Sequence, residues 1–268
     1  YLGITVGVVT TFFVLTRFLT AAEIGLTRVL IDAATLFIGL AHLGTNSSII
    51  RFYPYFSDEK QENYGLFFWA LVVPFIGFVL FAIIYCACSV PLAALFGDKS
   101  PLFVEYYYFV LPLAFFMLYQ TICESTSNVL MHIVVPRAVR ELIVRVGLLV
   151  VYVLYAFRVV SLDGLVIGLC INYAVAAIIN ICYFFSLQSI RLRPDWQFLR
   201  NNKPLIRRYI IYTGFLIISA ITTILAPTIS SFFITAKMGL DSTGIFAIAT
   251  YMAVMVSVPY RSVTAIAS

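Results

Sequence analysis

Residues 66–95 read LFFWALVVPFIGFVLFAIIYCACSVPLAAL, thirty positions without one Asp, Glu, Lys or Arg. About 20 consecutive apolar residues suffice to cross the hydrocarbon of a bilayer as a helix. Reading outward from this run, the rest of the chain has the same character. Of its 268 residues 62% are hydrophobic and only 11% charged, with a mean hydropathy of +1.02. A soluble domain carries about 25% charged residues. Lipid is the solvent that this composition demands.

Apolar runs bounded by charges predict the spans. They cover residues 1–18, 26–50, 66–95, 103–135, 139–157, 165–187, 209–236 and 244–267, with Pro74 and Pro91 interrupting the third. The fold class is therefore all-α, a polytopic transmembrane bundle of about eight helices. Tyr1 opens inside an apolar run and Val263 to Ser268 form no polar tail, so the sequence reads as part of a longer protein.

Basic residues set the expected orientation. Arg51 and Lys60 lie in the second connection, Arg137 and Arg140 in the fourth, and Arg191, Arg193, Arg200, Lys203, Arg207 and Arg208 in the sixth. The odd connections are poorer, with Arg17 and Arg28, then Lys99, Arg158 and Lys237. The positive-inside rule puts the even connections and the N-terminus in the cytoplasm, and Tyr106, Tyr107 and Tyr108 at the outer interface. The polar stretch 189–208 divides the chain into a first six-helix lobe, 1–188, and two helices of a second lobe, 209–268. Trp196, Phe198 and Leu199, set among arginines, predict a helix lying on the inner membrane surface.

A faint internal echo agrees with that division. LTAAEIGLTRVLIDAA (19–34) and LDSTGIFAIATYMA (240–253) each place a polar turn before a glycine that opens an apolar helix. Gly25 and Gly244 should then occupy matching turns on the outer side of a duplicated unit.

Catalytic chemistry finds little support. The five cysteines (Cys86, Cys88, Cys123, Cys170, Cys182) sit in apolar stretches as small fillers, and the two histidines, His42 and His132, build no ligand set. No nucleophile stands with a base, and no glycine-rich loop offers a phosphate cradle. The expectation is no catalytic residue, no metal, no cofactor and no nucleic acid, since the net charge of +5 sits at span ends.

Polar residues inside the spans are the candidate site. Arg28, Asp32, Thr35, Gly39, His42 and Asn46 recur at steps of three and four, either as a packing stripe or as one wall of a wet cavity. Arg28 and Asp32, four apart, can pair. Thr121, Glu124, Ser125, Asn128 and His132 repeat the theme, and Glu141 with Arg145 gives another pair four apart. Glu124 and Arg145 fall at similar depth on consecutive spans, as a structural ion pair or as one that opens for an anionic substrate. Asn172 and Asn180 suit gluing helices together. Pro227, flanked by Thr222, Thr223, Ser230 and Ser231, is a candidate hinge.

The runs TRFLTAAEIGL and LGTNSSIIRFYPYF resemble the first two helices of polysaccharide flippases of the O-antigen transporter type. VVPRAVRELIVRVGLLVVYVLY and SLDGLVIGLCINYAV resemble helices five and six of the same family. The resemblance implies membership of the multidrug/oligosaccharidyl-lipid/polysaccharide exporter superfamily, with two six-helix lobes of which this chain supplies the first and the start of the second. It implies a multi-pass protein of the bacterial inner membrane that flips a lipid-linked oligosaccharide, carried on undecaprenyl pyrophosphate, for lipopolysaccharide O-antigen or another surface polysaccharide. Implied partners are membrane lipids, a polysaccharide polymerase and chain-length proteins. Arg28, Asp32, His42, Glu124, Asn128 and Arg145 are the cavity candidates, the two arginines offsetting phosphate charge. A cation-coupled drug exporter of the same fold would favour an acidic cavity instead. A non-transporting scaffold and a glycan polymerase are the other readings, and the polymerase should show a large periplasmic loop.

Overall fold

The computed structural model describes residues 6–8, 10–56, 62–187 and 196–267. Those residues form helices and turns, with no strand among them. The elements are α1 (Val6–Phe18), α2 (Ala21–Ala41), α3 (Thr45–Phe56), α4 (Leu66–Ala87), α5 (Ser89–Phe96), α6 (Val110–Val129), α7 (Val144–Ala156), α8 (Leu162–Ser186), α9 (Trp196–Asn201), α10 (Lys203–Met238) and α11 (Leu240–Ala267). Among the described residues four stretches are long and apolar enough to cross a membrane: Ala21–Phe56, Leu66–Ala87, Tyr107–Val129 and Leu162–Ser186. The chain is a multi-pass helical membrane bundle.

The central element is α2, which packs against α4, α6, α10 and α11. Its sequence explains its place. Thr20 and Glu23 close a capping box, Glu23 N–H donating to Thr20 Oγ1 (3.3 Å) and Thr20 N–H to Glu23 Oε2 (2.8 Å). The charges that seemed to lie before the span are therefore its first turns, and the helix starts at Ala21 rather than Leu26. Leu26, Val29, Leu30 and Ala34 are fully buried along it.

In lipid, apolar burial gives helices little reason to associate, so close packing and hydrogen bonds carry the load. Small residues supply the approach. A Cβ on Gly77 of α4 would fall 2.1 Å from the Ala41 carbonyl oxygen. Asn172 of α8 donates from Nδ2 to the Val144 carbonyl of α7 (3.0 Å), and its Oδ1 fills the space where a Cβ on Gly147 would stand. This is the gluing role expected of Asn172. Asn180 is fully buried two turns on, and neither end of its amide has a hydrogen-bond partner.

Between α2 and α3 the helix breaks. Leu43 (φ 47°) and Gly44 (φ 69°) enter the left-handed region, and His42 Nδ1 accepts the Gly44 N–H (2.9 Å). The break lets α10 approach: a Cβ on Gly44 would lie 2.9 Å from Leu216 Cβ, and Ser48 of α3 bonds Thr213 of α10 (2.8 Å). The polar stripe from Arg28 to Asn46 is thus not one continuous face.

Other boundaries shift for local reasons. The third span stays helical through Pro74 and breaks instead at Cys88, leaving Pro91 inside α5. The fourth ends at Val129 rather than Val135, where Met131 takes φ 62°. Residues 188–195 of the expected linker lie outside the described residues, 196–201 are helical, and 203–208 belong to α10. The backbone of α10 is helical through position 227, the candidate hinge.

The two glycines of the echo meet in space. Gly25 of α2 and Gly244 of α11 lie against each other at the helix crossing, within 3.0 Å of contact for an added Cβ.

Candidate functional site

The polar groups gather at two depths. The first lies on α2, two turns in from its capped start. Arg28 Nε bonds Asp32 Oδ2 at 2.8 Å, with the arginine side chain 17% and the aspartate 9% exposed. An ion pair so shielded is strongly coupled, and an arginine there must pair or reach water. The guanidinium carbon also stands 5.4 Å from the centre of the Tyr251 ring, on α11, a cation–π approach. Tyr152 of α7 and Tyr173 of α8 are buried in the same core. Arg28 therefore touches both α2, which carries it, and α11.

The second lies at the other end of the bundle and is a ladder of four charges. Glu124 Oε1 accepts from Arg140 Nη1 (2.8 Å), Arg140 Nε reaches Glu141 Oε1 (3.4 Å), and Glu141 Oε2 accepts from Arg145 Nη2 (2.7 Å). Glu124 is 10% exposed, whereas Arg140 and Glu141 are 51% and 42% exposed and Arg145 34%. Glu124 is anchored in the core, and the three charges that follow are a third to a half exposed. Arg145 Nη1 lies beside Gly7 of α1.

This corrects the expected Glu124–Arg145 pair. Residues 139–143 form a π-helical turn between the short helix Val134–Ala138 and α7. Arg140, within the π turn, pairs with Glu124, and Arg145 at the start of α7 pairs with Glu141, four residues back in the turn. Helical periodicity of 3.6 residues cannot reveal such a turn, and π turns recur at functional sites. Sequence reasoning also missed Tyr251 and two hydrogen bonds, Tyr155 Oη to Glu23 Oε1 and Tyr106 Oη to Asp163 Oδ1.

The remaining candidates separate. Asn128, one turn beyond Glu124, keeps a buried Oδ1 with no hydrogen-bond partner. His42 is engaged in the turn at Gly44. His132 reaches Tyr183 Oη through Nδ1 at 3.4 Å. Among the described residues no group of three His, Cys, Asp or Glu side chains could hold a metal.

Chemically the arrangement offers guanidinium groups at two levels, each already satisfied by a carboxylate. A phosphate oxygen can take the carboxylate's place on the planar fork without leaving the cation bare. Both buried carboxylates, Asp32 and Glu124, are occupied by arginines.

A family model described as "Polysaccharide biosynthesis protein" matches residues 4–267. No curated protein and no solved structure matches the chain.

Proposed function

We infer, because this chain belongs to the polysaccharide biosynthesis protein family, that it moves a lipid-linked oligosaccharide on undecaprenyl pyrophosphate across the bacterial inner membrane. It acts as a transporter rather than an enzyme: the work is to offset charge along a path, with no bond made or broken.

The observation that carries this reading is the exchangeable pair Glu141–Arg145 at the half-exposed end of the ladder (2.7 Å). An anionic headgroup in hydrocarbon costs several kcal/mol unless its charge is met. Arg145, with Arg140 beside it, receives the pyrophosphate on the arginine-rich, cytoplasmic side, and Glu141 swings to solvent. Arg28, nearer the opposite end, is the second cation on the route. A drug exporter drawing cationic compounds would leave acids free to bind them, whereas Asp32 and Glu124 are both neutralised by arginine.

Replacing Arg145 by Lys, and separately Glu141 and Arg145 both by Gln, tests the reading in the full-length protein. Both variants should insert normally and lose surface polysaccharide. Export at the parental level by the Glu141→Gln, Arg145→Gln variant would make the pair structural and remove the site.

A further inference from the structure

We propose that the arginine-rich end of α10 is a binding site for an anionic phospholipid of the surrounding leaflet, with its phosphate between Lys203 and Arg207 and an acyl chain along Ile210 and Ile211. The site is separate from the transport path and does not rest on the transport reading.

Lys203, Ile206, Arg207, Ile210 and Ile211 line one open groove of about 460 Å³. Lys203 and Arg207 are one helical turn apart and exposed, and neither takes part in an ion pair among the described residues. Ile210 and Ile211 are 63% and 50% exposed on the next turn. Along the helix the order is two cations and then branched hydrocarbon, which is the order of an amphiphile standing in the membrane.

The opposite face of α10 fixes which way the groove looks. Tyr209 and Tyr212 pack edge-on against Phe52 of α3, with ring centres 5.1 and 5.6 Å apart. Arg51 lies over the Tyr212 ring at 4.3 Å, and Ser48 bonds Thr213. With that face engaged, Lys203 and Arg207 are turned away from the bundle. Their depth is marked by Trp196 of α9, which meets Trp69 of α4 edge to face at 5.5 Å. Tryptophans gather at the headgroup level, so the basic pair stands where a phosphodiester lies.

Charge selects the class of lipid. Each Lys or Arg near an anionic surface contributes about five-fold in affinity. A zwitterionic headgroup would set its own ammonium against two cations that have no ion-pair partner among the described residues, and free phosphate would leave the isoleucines unused. An anionic phospholipid satisfies both ends of the groove.

The test is native mass spectrometry of the full-length protein in detergent, titrated with phosphatidylglycerol, phosphatidylcholine or inorganic phosphate. The parent should hold phosphatidylglycerol over phosphatidylcholine. Lys203→Gln with Arg207→Gln should weaken phosphatidylglycerol roughly thirty-fold, about five-fold per cation, with thermal melting unchanged. Arg158→Gln with Lys237→Gln removes the same charge elsewhere and should keep the parental preference. Undiminished binding by the first pair, or equal loss by the second, overturns the site. Displacement of the lipid by millimolar phosphate overturns its amphiphilic character. Should the first pair fail to fold, Arg207→Gln alone is titrated with salt, and a preference that survives molar salt overturns the proposal as well.

Discussion

Gly25 and Gly244 meet reciprocally at the crossing of α2 and α11. A Cβ on Gly25 would lie 2.0 Å from the Leu240 carbonyl oxygen, and one on Gly244 would lie 2.0 Å from that of Ala21. Ala21 and Leu240 each stand four residues before the glycine of their own helix, so both pairs share one offset of 219 positions (244 minus 25, and 240 minus 21). Asp32 and Tyr251 keep the same offset (251 minus 32), and both flank Arg28. A close crossing at two glycines brings each against the other helix's backbone one turn back, which is how small residues let helices approach in lipid.

The crossing predicts a sharp steric rule. A methyl group cannot stand 2.0 Å from a backbone oxygen, so Gly25→Leu and Gly244→Leu must push the helices apart. Overpacking of this kind costs about 1–3 kcal/mol. Each variant should melt well below the parent in detergent, and the two together should cost less than the sum, because the first opens the space the second needs. Gly214, with nothing within 4 Å of an added Cβ, is the control, and Gly214→Ala should melt as the parent does. Strictly additive losses would mean that the two glycines do not share a contact.

Topology is tested by labelling. Asn201 and Asp98 are both exposed, on the two sides that the arginine distribution separates. In a variant without native cysteines, Asn201→Cys in intact cells should resist a membrane-impermeant maleimide and Asp98→Cys should react. Ser100, close by, is unsuitable because it is fully buried and donates to the Thr235 carbonyl oxygen (2.7 Å). Labelling of position 201 from outside would invert the bundle.

The Asn172 contact predicts a smaller effect. Asn172→Ala removes one bond from α8 to the Val144 carbonyl. Interhelical hydrogen bonds in membranes are worth about 0.6 kcal/mol on average and reach about 1.7. The melting temperature should fall by a few degrees, and insertion should be unaffected. No shift at all would assign the α7–α8 contact to close packing at Gly147 alone.

These contacts show which parts of the fold are legible in the sequence. Spans with charge-free interiors, such as Leu66–Ala87 and Leu162–Ser186, announce themselves through hydropathy, because lipid admits little else. The start of α2 did not, since Glu23 reads as a boundary charge until its bond to Thr20 is seen. Neither did the break at Leu43, a residue with no special claim on positive φ, which the neighbouring Gly44 and the approach of α10 impose. For the site, pairs on one helix were legible: Arg28 with Asp32, and Glu141 with Arg145. Glu124 with Arg140 was not, because the chain turns at Met131 between their two helices and no helical period relates them.

The last prediction concerns Arg28, which meets a carboxylate on its own helix and an aromatic ring on α11. If the pair is only structural, replacing both charges by apolar residues of similar size should leave the protein whole. Removing one partner of a buried ion pair costs about 3–5 kcal/mol, whereas replacing both is often neutral or stabilising. Asp32→Asn, which leaves the guanidinium unpaired, and Arg28→Gln should therefore each lower stability markedly, and Arg28→Met with Asp32→Leu should restore it. Transport should not return with stability, because the double variant has no cation left for phosphate at this depth. Tyr251→Phe keeps the ring beside the guanidinium but removes the phenol oxygen that also bonds it, and should lose part of the stability that Tyr251→Ala loses. Tyr251→Ala should lose about 0.5–2 kcal/mol and loosen α11 from α2. The decisive comparison is melting temperature against surface polysaccharide in the Arg28→Met, Asp32→Leu variant. If both recover together, Arg28 holds the bundle and nothing more. If stability recovers alone, the guanidinium is needed for the cargo.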